Sequence, residues 1–431
     1  HERDEHQRIV DAIEALPEDR RSPQLVSALA RAYNNLAGVG DTALFRRAIA
    51  LLESVEEELQ DDHSWNFRMA YAYYYLDQEG PALHYFERAL EAKPGDEDTR
   101  ELIADCRSRL AFPQFEKTFR ERTAGGWESF QAGEAELRAM MDAKQVGEKL
   151  VGLCADLLAP AFSDISFELG FNGSKYELIL TPEGSRAKLF QLVYFQRRAP
   201  EKVLEHWDIP VGRRPAPGFG LRMFGREISA GDVQVWIQGP ENGIVTLSCY
   251  CEELLPLLRE NGGQAHWLLS ILLDQTIGEL AAMGLLNDFE LLEAPCDGSS
   301  VPMDHLAEAL RERGLELTDD PGRMLERYSA YEMEPDRSED ADLRMDVFAG
   351  VTLCVPLVNS YLQGDSELMD YFHQDGAVPG FFYYPLDGFA DAKERGKAVL
   401  VFRDKLEAEV LERAGEDAVT FLGGASGIDY G

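Results

Sequence analysis

The sequence predicts an α+β protein of several domains, and three observations predict it. Over the first quarter, small and large apolar residues recur at helical spacing with a period of about 34 residues. Beyond residue 160 the apolar pattern shortens to strand-like runs bounded by Gly, Asn and Pro. The chain has 431 residues, enough for two or three domains that each bury a core. The expected divisions are helical repeats over 1–112, a helical linker and first α/β unit over 113–300, and a second α/β unit over 301–431.

The clearest repeat runs from Ser64 to Asp96. Ala70, Ala82 and Ala89 are small enough for two helices to approach closely, and Tyr73 and Phe86 fill the layer between them. Pro94 stops the second helix, because a helix interior needs the backbone N–H that proline lacks. An earlier unit places Leu29, Ala30 and Tyr33 on its first helix and Ala48 and Leu52 on its second. The stretch Gly38–Thr42 lengthens its turn, and no closing Pro precedes the acidic run Glu56–Glu58. Ile103 and Ala104 stand one period beyond Met69 and Ala70 and predict a capping helix, and His6–Leu16 reads as a helix before the first full unit.

This spacing resembles the tetratricopeptide repeat (TPR) family over residues 1 to about 112. The resemblance implies an α-solenoid whose first helices line a concave groove. Carried onto this chain, the groove-lining positions are Ser27, Arg31 and Asn34, then Phe67, Tyr71 and Tyr74, then Glu101 and Asp105. Tyr offers contact area with a hydrogen-bonding tip, which suits a peptide groove. The opposing expectation is that the C-terminal region folds back over the same aromatics. A clamp for peptide carboxylates is disfavoured, since Tyr71, Glu101 and Asp105 stand where further basic or amide groups would be needed.

Residues 113–160 read as helix, with Gly125–Gly126 expected to separate two helices. Ile165–Phe171, Asn172–Gly173 and Lys175–Leu180 predict a hairpin, because Asn-Gly accepts the positive φ of a tight turn. Strands are expected at Leu189–Phe195, Leu221–Phe224, Val233–Ile237, Ile244–Cys249 and Phe289–Leu292. Helices are expected at Cys251–Arg259, Ala265–Met283 and His305–Arg313. The last unit should hold strands at Tyr328–Met333, Leu343–Phe348, Gly380–Pro385 and Ala418–Leu422, with helices at Val355–Leu362, Glu367–Phe372 and Ala390–Arg413. Its end resembles that of the preceding unit: Leu272-Leu273-Asp274 and Phe402-Arg403-Asp404 each precede a helix and a strand. Duplication of 165–293 as 328–431 is therefore an expectation, and unlike strand orders would remove it.

No catalytic motif emerges, and no cofactor or metal is expected. Gly423–Gly427 follows an expected strand as a phosphate-binding turn would, yet no Lys follows it. His206 with Asp208, and Ser366 with Asp370 and His373, are acid–base pairs by sequence alone, whereas catalytic groups must converge from different elements. Cys249 and Cys251 share a strand face without completing a metal site, and six scattered cysteines fit buried apolar roles in a reducing compartment. Asp336–Asp346 lacks the order of a calcium loop. Arg197–Arg198 and Arg213–Arg214 should pair within the chain.

A net charge of −36 repels phosphate backbones and anionic lipid, so nucleic acid and membrane surfaces are excluded as partners. No apolar run approaches a bilayer's width and no secretory pattern opens the chain, so a cytoplasmic location is expected. His1 and Gly431 read as trimmed ends. The functional expectation is a non-enzymatic interaction or scaffold protein that holds a partner segment in the TPR groove. The alternatives are an enzyme of hydrolase type that uses the repeats as a targeting arm, and self-association through the repeats.

Overall fold

The structure is a computed structural model that describes residues 2–38, 41–216, 218, 220–223, 226–241, 243–335, 346–384, 386, 389, 395–428 and 430–431. It is an α+β protein, with helices first and several small sheets later.

Seven helices open the chain: α1 (Glu2–Glu14), α2 (Pro23–Leu36), α3 (Thr42–Glu53), the short α4 (Glu56–Leu59), α5 (His63–Tyr74), α6 (Glu79–Ala92) and α7 (Glu97–Leu110). Their starts follow from local chemistry. Ser22 accepts from the Leu25 amide with Pro23 in the first turn, and Asp62 accepts from the Trp65 amide, satisfying donors that a helix end leaves open. The periodic small residues do what their spacing implies. Ala30, Ala48, Ala70, Ala82 and Ala89 are fully buried, as are Leu52, Met69 and Phe86. Each long helix packs on the next, and α2 also touches α5. Ala104 is exposed on α7, because no further helix covers that side.

The linker differs from expectation. A single helix, α8 (Phe119–Asp142), runs straight through Gly125–Gly126 and is followed by α9 (Glu148–Leu158). These glycines do not break the helix; Gly126 and Gly133 share a face that lies against Ala161 and Leu157, where a Cβ would come within 2.6 and 2.5 Å.

The first sheet follows, made of β1 (Ser166–Phe171), β2 (Tyr176–Thr181) and β3 (Trp207–Asp208), with α10 (Arg186–Gln196) and α11 (Glu201–Leu204) between the last two. β1 and β2 form the predicted antiparallel hairpin, but its tip is Gly173–Ser174, closed by the Asn172 amide donating to the Lys175 carbonyl at 3.0 Å. β3 pairs with β2 in parallel. The segment Leu189–Phe195 is helix α10, not a strand. Ala187, Leu189, Leu192, Val193 and Phe195 are buried around its circumference, and an all-round apolar run carries no period to distinguish helix from strand. With α8 and α9 this sheet forms one core, centred on Trp127, Phe130, Phe195 and Trp207.

A second sheet has the order β8-β7-β6-β9. Before it comes a separate hairpin, β4 (Gly220–Met223) and β5 (Arg226–Ser229). The sheet is built from β6 (Gln234–Glu241), β7 (Ile244–Tyr250), β8 (Leu286–Leu291) and β9 (Val301–Pro302). Between β7 and β8 lie α12 (Leu255–Glu260), α13 (Gly262–Ile277) and α14 (Glu279–Leu285); α13 and α14 bend by 104° about Gly278, whose φ is 89°. The helix α15 (Leu306–Glu312) and Leu315 pack into this same core, so residues 301–317 belong with the sheet that precedes them rather than with the last unit.

The last unit contains α16 (Pro321–Leu325), β10 (Ser329–Glu332), β11 (Val347–Thr352), α17 (Val355–Gln363), α18 (Glu367–Gln374), α19 (Arg395–Ala414) and β12 (Gly423–Gly427). Its sheet has the order β10-β11-β12 and is antiparallel throughout. No strand forms over residues 380–384, and residues 343–345, 385 and 390–394 of the expected elements lie outside the described residues. Residues 165–293 hold two sheets in which the strand after the helices runs parallel to its neighbour, whereas β12 runs antiparallel to β11. The strand orders and directions differ, which removes the expected duplication.

Among the described residues no single helix is long and apolar enough to cross a membrane. The bent pair α13–α14 has the apolar content, but Leu268, Leu269, Leu272 and Leu273 are spent on the core of the second sheet.

Candidate functional site

The expected groove residues divide into three groups. Ser27 and Asn34 are 2% and 4% exposed and turn into the seam between α2 and α5, so they do not line an open surface. Both hold Arg68: its guanidinium donates to Ser27 Oγ at 2.6 Å, and Asn34 Nδ2 donates to the Arg68 carbonyl at 2.9 Å. Helix periodicity is the reason, since residues facing a neighbouring helix cannot also face a partner.

Phe67, Tyr71 and Tyr74 are half-buried along α5 and form a ring ladder. The Phe67 and Tyr71 rings lie 6.3 Å apart, and Tyr71 and Tyr75 4.6 Å apart. Tyr75 was not among the expected residues, yet it joins the ladder to Phe45 of α3 by a parallel stack at 5.4 Å and is 39% exposed. Burial, then the Tyr75 hydrogen bond, push the Tyr71 phenol above its ordinary range. Phe67 and Tyr74 also lean edge-on to Phe86 of α6, which fixes their rotamers.

Arg31 and Glu101 are exposed, and Asp105 is half-buried. Tyr74 donates to Asp105 Oδ2 at 2.7 Å, and this bond with burial pushes its phenol up to about 12. Arg109 completes the group: it ion-pairs with Asp105 at 2.8 Å and lies 5.0 Å from the Tyr74 ring centre. Arg68 is the most informative residue that sequence reasoning missed. Burial and the neighbouring Arg31 charge both push its pKa down, with Asp62 opposing. Among the described residues no carboxylate lies within ion-pair distance of Arg68. The signal for it was available, because Arg68 precedes Tyr71 by three positions and therefore shares its face.

Among the described residues the C-terminal segment reaches these helices beside the turn between α5 and α6. Gln78, in the turn between α5 and α6, donates to the Tyr430 hydroxyl, and the Tyr383 ring stands 6.0 Å from that of Tyr430. The contact lies at the end of α5 near Glu79, whose charge with burial raises the Tyr383 phenol.

The chemistry-bearing pairs elsewhere do not assemble. Asp208 is engaged by Arg214 at 2.8 Å, Trp207 is fully buried, and His206 is exposed. Ser366 donates to Asp370 at 3.0 Å, while His373 packs on Phe115 at 5.8 Å. Gly423–Gly427 is strand β12 itself, so its backbone is spent on the ladder with β11 rather than cradling an anion. Glycine is needed there because a Cβ on Gly423 would meet the Val351 carbonyl. Cys249 and Cys251 are buried, which pushes both thiols up to about 12. Of the basic pairs, Arg198 binds Asp417 at 2.6 Å, Arg214 binds Asp208, and Arg213 contacts four carboxylates. Of the acidic run at 336–346, only Asp346 falls among the described residues.

The chain matches no family model, and comparisons with curated proteins and with solved structures return no match.

Proposed function

We propose that the N-terminal helices are a TPR-like solenoid, and that the chain is an interaction protein binding an extended partner segment across α2 and α5. One observation carries this reading. In a chain of net charge −36, two arginines, Arg31 and Arg68, stand together beside an aromatic ladder, and Arg68 has no carboxylate within ion-pair distance among the described residues. A half-buried guanidinium without an ion-pair partner is an unmet electrostatic demand, and a partner's carboxylate meets it with charge-assisted hydrogen bonds. Tyr71 and Tyr75 supply the apolar contact beside it. The partner segment thus carries an acidic residue next to an apolar or aromatic one, and the protein works in the cytoplasm. Tyr74, Asp105 and Arg109 already satisfy one another, so they flank the contact rather than anchor it.

The test is capture of partners from lysate of the source organism by the intact chain and by an Arg31→Glu/Tyr71→Ala variant with unchanged melting temperature. Loss of each anchor is expected to weaken binding by about 2 kcal/mol, so partners held by the intact chain disappear from the variant. Equal retention by both proteins rejects the α2–α5 face.

A further inference from the structure

The last unit carries a second, separate surface, at an edge of its sheet. Among the described residues β10 pairs with β11 alone. Beside it a cavity of about 280 Å³ lies between Tyr331 and Glu332 of the strand, Met333 just beyond it, and α17. Tyr331 and Met333 share one face of the chain here, with Glu332 between them.

The hydrogen-bond phase shows which main-chain groups β11 leaves unused. The Met333 amide donates to the Phe348 carbonyl of β11 at 2.9 Å. In an antiparallel pair a residue sends its N–H and C=O to the same neighbour, and the direction alternates along the strand. Tyr331 therefore faces β11 with Met333, while Ala330 and Glu332 point their N–H and C=O groups away from β11, and Glu332 also lines the cavity. Neither takes another backbone partner among the described residues. From α17 it is lined by Val355, Val358 and Leu362, with Asn359 and Gln363. Glu332 and Glu334 are exposed beside it, and among the described residues no cation lines the cavity. The cation whose charge reaches Tyr331, Arg403, is seated against Gly424 on β12.

We infer that this groove takes an extended segment of a partner protein in which apolar residues alternate with Lys or Arg, added as a fourth strand beside β10. The strand edge supplies main-chain hydrogen bonds, the α17 floor takes the apolar side chains, and the glutamates select the basic ones. This surface is independent of the α2–α5 face, and its partner has the opposite charge.

The experiment uses the full chain and a fluorescein-labelled alternating Lys/Val peptide, with an alternating Glu/Val peptide as comparison. Binding of the first should saturate. Ala330→Pro, which removes an outward amide and leaves the β11 ladder intact, should weaken it about tenfold, the worth of one good hydrogen bond. Glu332→Gln should weaken it about threefold, the worth of a rim charge pair. In the unmodified chain, amide hydrogen exchange should slow at 330–333 when the Lys/Val peptide binds, a readout that stands even where Ala330→Pro fails to fold. Unchanged exchange at 330–333, equal binding of both peptides, or undiminished affinity in a folded Ala330→Pro variant each overturns the inference. A concentration-dependent dimer abolished by Ala330→Pro also overturns it, because the edge would then be occupied by a second copy of the chain.

Discussion

Arg213 holds together parts of the chain that are far apart in sequence. Its guanidinium lies 2.6 Å from Glu168 of β1, 2.8 Å from Glu183 and 3.2 Å from Asp274 of α13. Its backbone amide donates to Glu279 of α14 at 3.0 Å. Four carboxylates facing one cation leave a net negative cluster in a poorly hydrated place. Burial, then repulsion from Glu279, push the Asp274 carboxyl from 3.8 up to about 7, against the pull of Arg213. Glu279 is raised as well, mainly by burial. The native state thus holds the Asp274 proton more tightly than the unfolded chain does. The resulting stability is fully present below pH 3.8 and is lost as pH rises through about 7. Over that window the unmodified protein should lose on the order of 4 kcal/mol from this group, and Asp274→Asn should flatten the profile. Denaturant melts of both proteins across the window check this; parallel curves would reject it. Arg213→Met leaves the carboxylates without their cation and should cost about 3–5 kcal/mol at neutral pH, read by the same melts.

Elements show why a residue's usual meaning can invert. Gly125-Gly126 reads as a helix break, yet α8 passes through it because Gly126 is where the chain at Ala161 and the Phe195 ring come closest. A methyl at Gly126 would sit 2.6 Å from Ala161 Cβ, whereas one at Gly125 would sit 3.8 Å from Pro160 Cβ, an ordinary contact. Gly126→Ala should therefore destabilise by about 1–3 kcal/mol through overpacking. Gly125→Ala should stabilise by up to about 1 kcal/mol through helix propensity. Thermal melts of the two neighbouring variants should move in opposite directions; a shared sign would mean that the close approach does not govern α8. The α10 segment illustrates another limit. Its residues are apolar on all sides because it is enclosed by the first sheet's core on one side and Cys354 and Phe372 of the last unit on the other, and neither neighbour is visible from local pattern.

At the scale of the whole molecule, a few buried polar groups fix how the last unit meets the rest. Asp375 is 1% exposed and accepts from the Ser163 amide at 2.8 Å, Arg122 at 3.2 Å and Gln191 at 3.3 Å. Arg186 of α10 donates to the carbonyls of Leu353, Met324 and Arg327. These bonds tie segments far apart in sequence, and Asp375, Gln191, Leu353 and Met324 are buried, so losing the partner of any of these leaves a polar group stranded. Asp375→Ala should cost about 3–5 kcal/mol and loosen residues 353–376 from the first sheet's core. Faster proteolysis there, with the N-terminal helices still resistant, is the expected pattern; uniform resistance would show that the contact is not needed.

The N-terminal helices were legible because each short segment carries its own period: Ala70, Ala82, Phe86 and Ala89 mark faces that any neighbour must cover. The β1–β2 hairpin was legible for the same reason, since Asn172 and Gly173 constrain the backbone locally. The site was legible only in part. Tyr71 and Tyr74 follow from helix spacing, but the exclusion of Ser27 and Asn34 and the exposure of Arg68's charge depend on which helix packs against which. Likewise no local signal sets β12 at Gly423–Gly427, because its glycines matter only once β11 lies beside them. Sequence alone determined periodicity, turn chemistry and charge, which act over a few residues. The tertiary structure decided strand pairing, glycine contacts and ion-pair partners, which join residues separated by tens to hundreds of positions and depend on packing that no local pattern records.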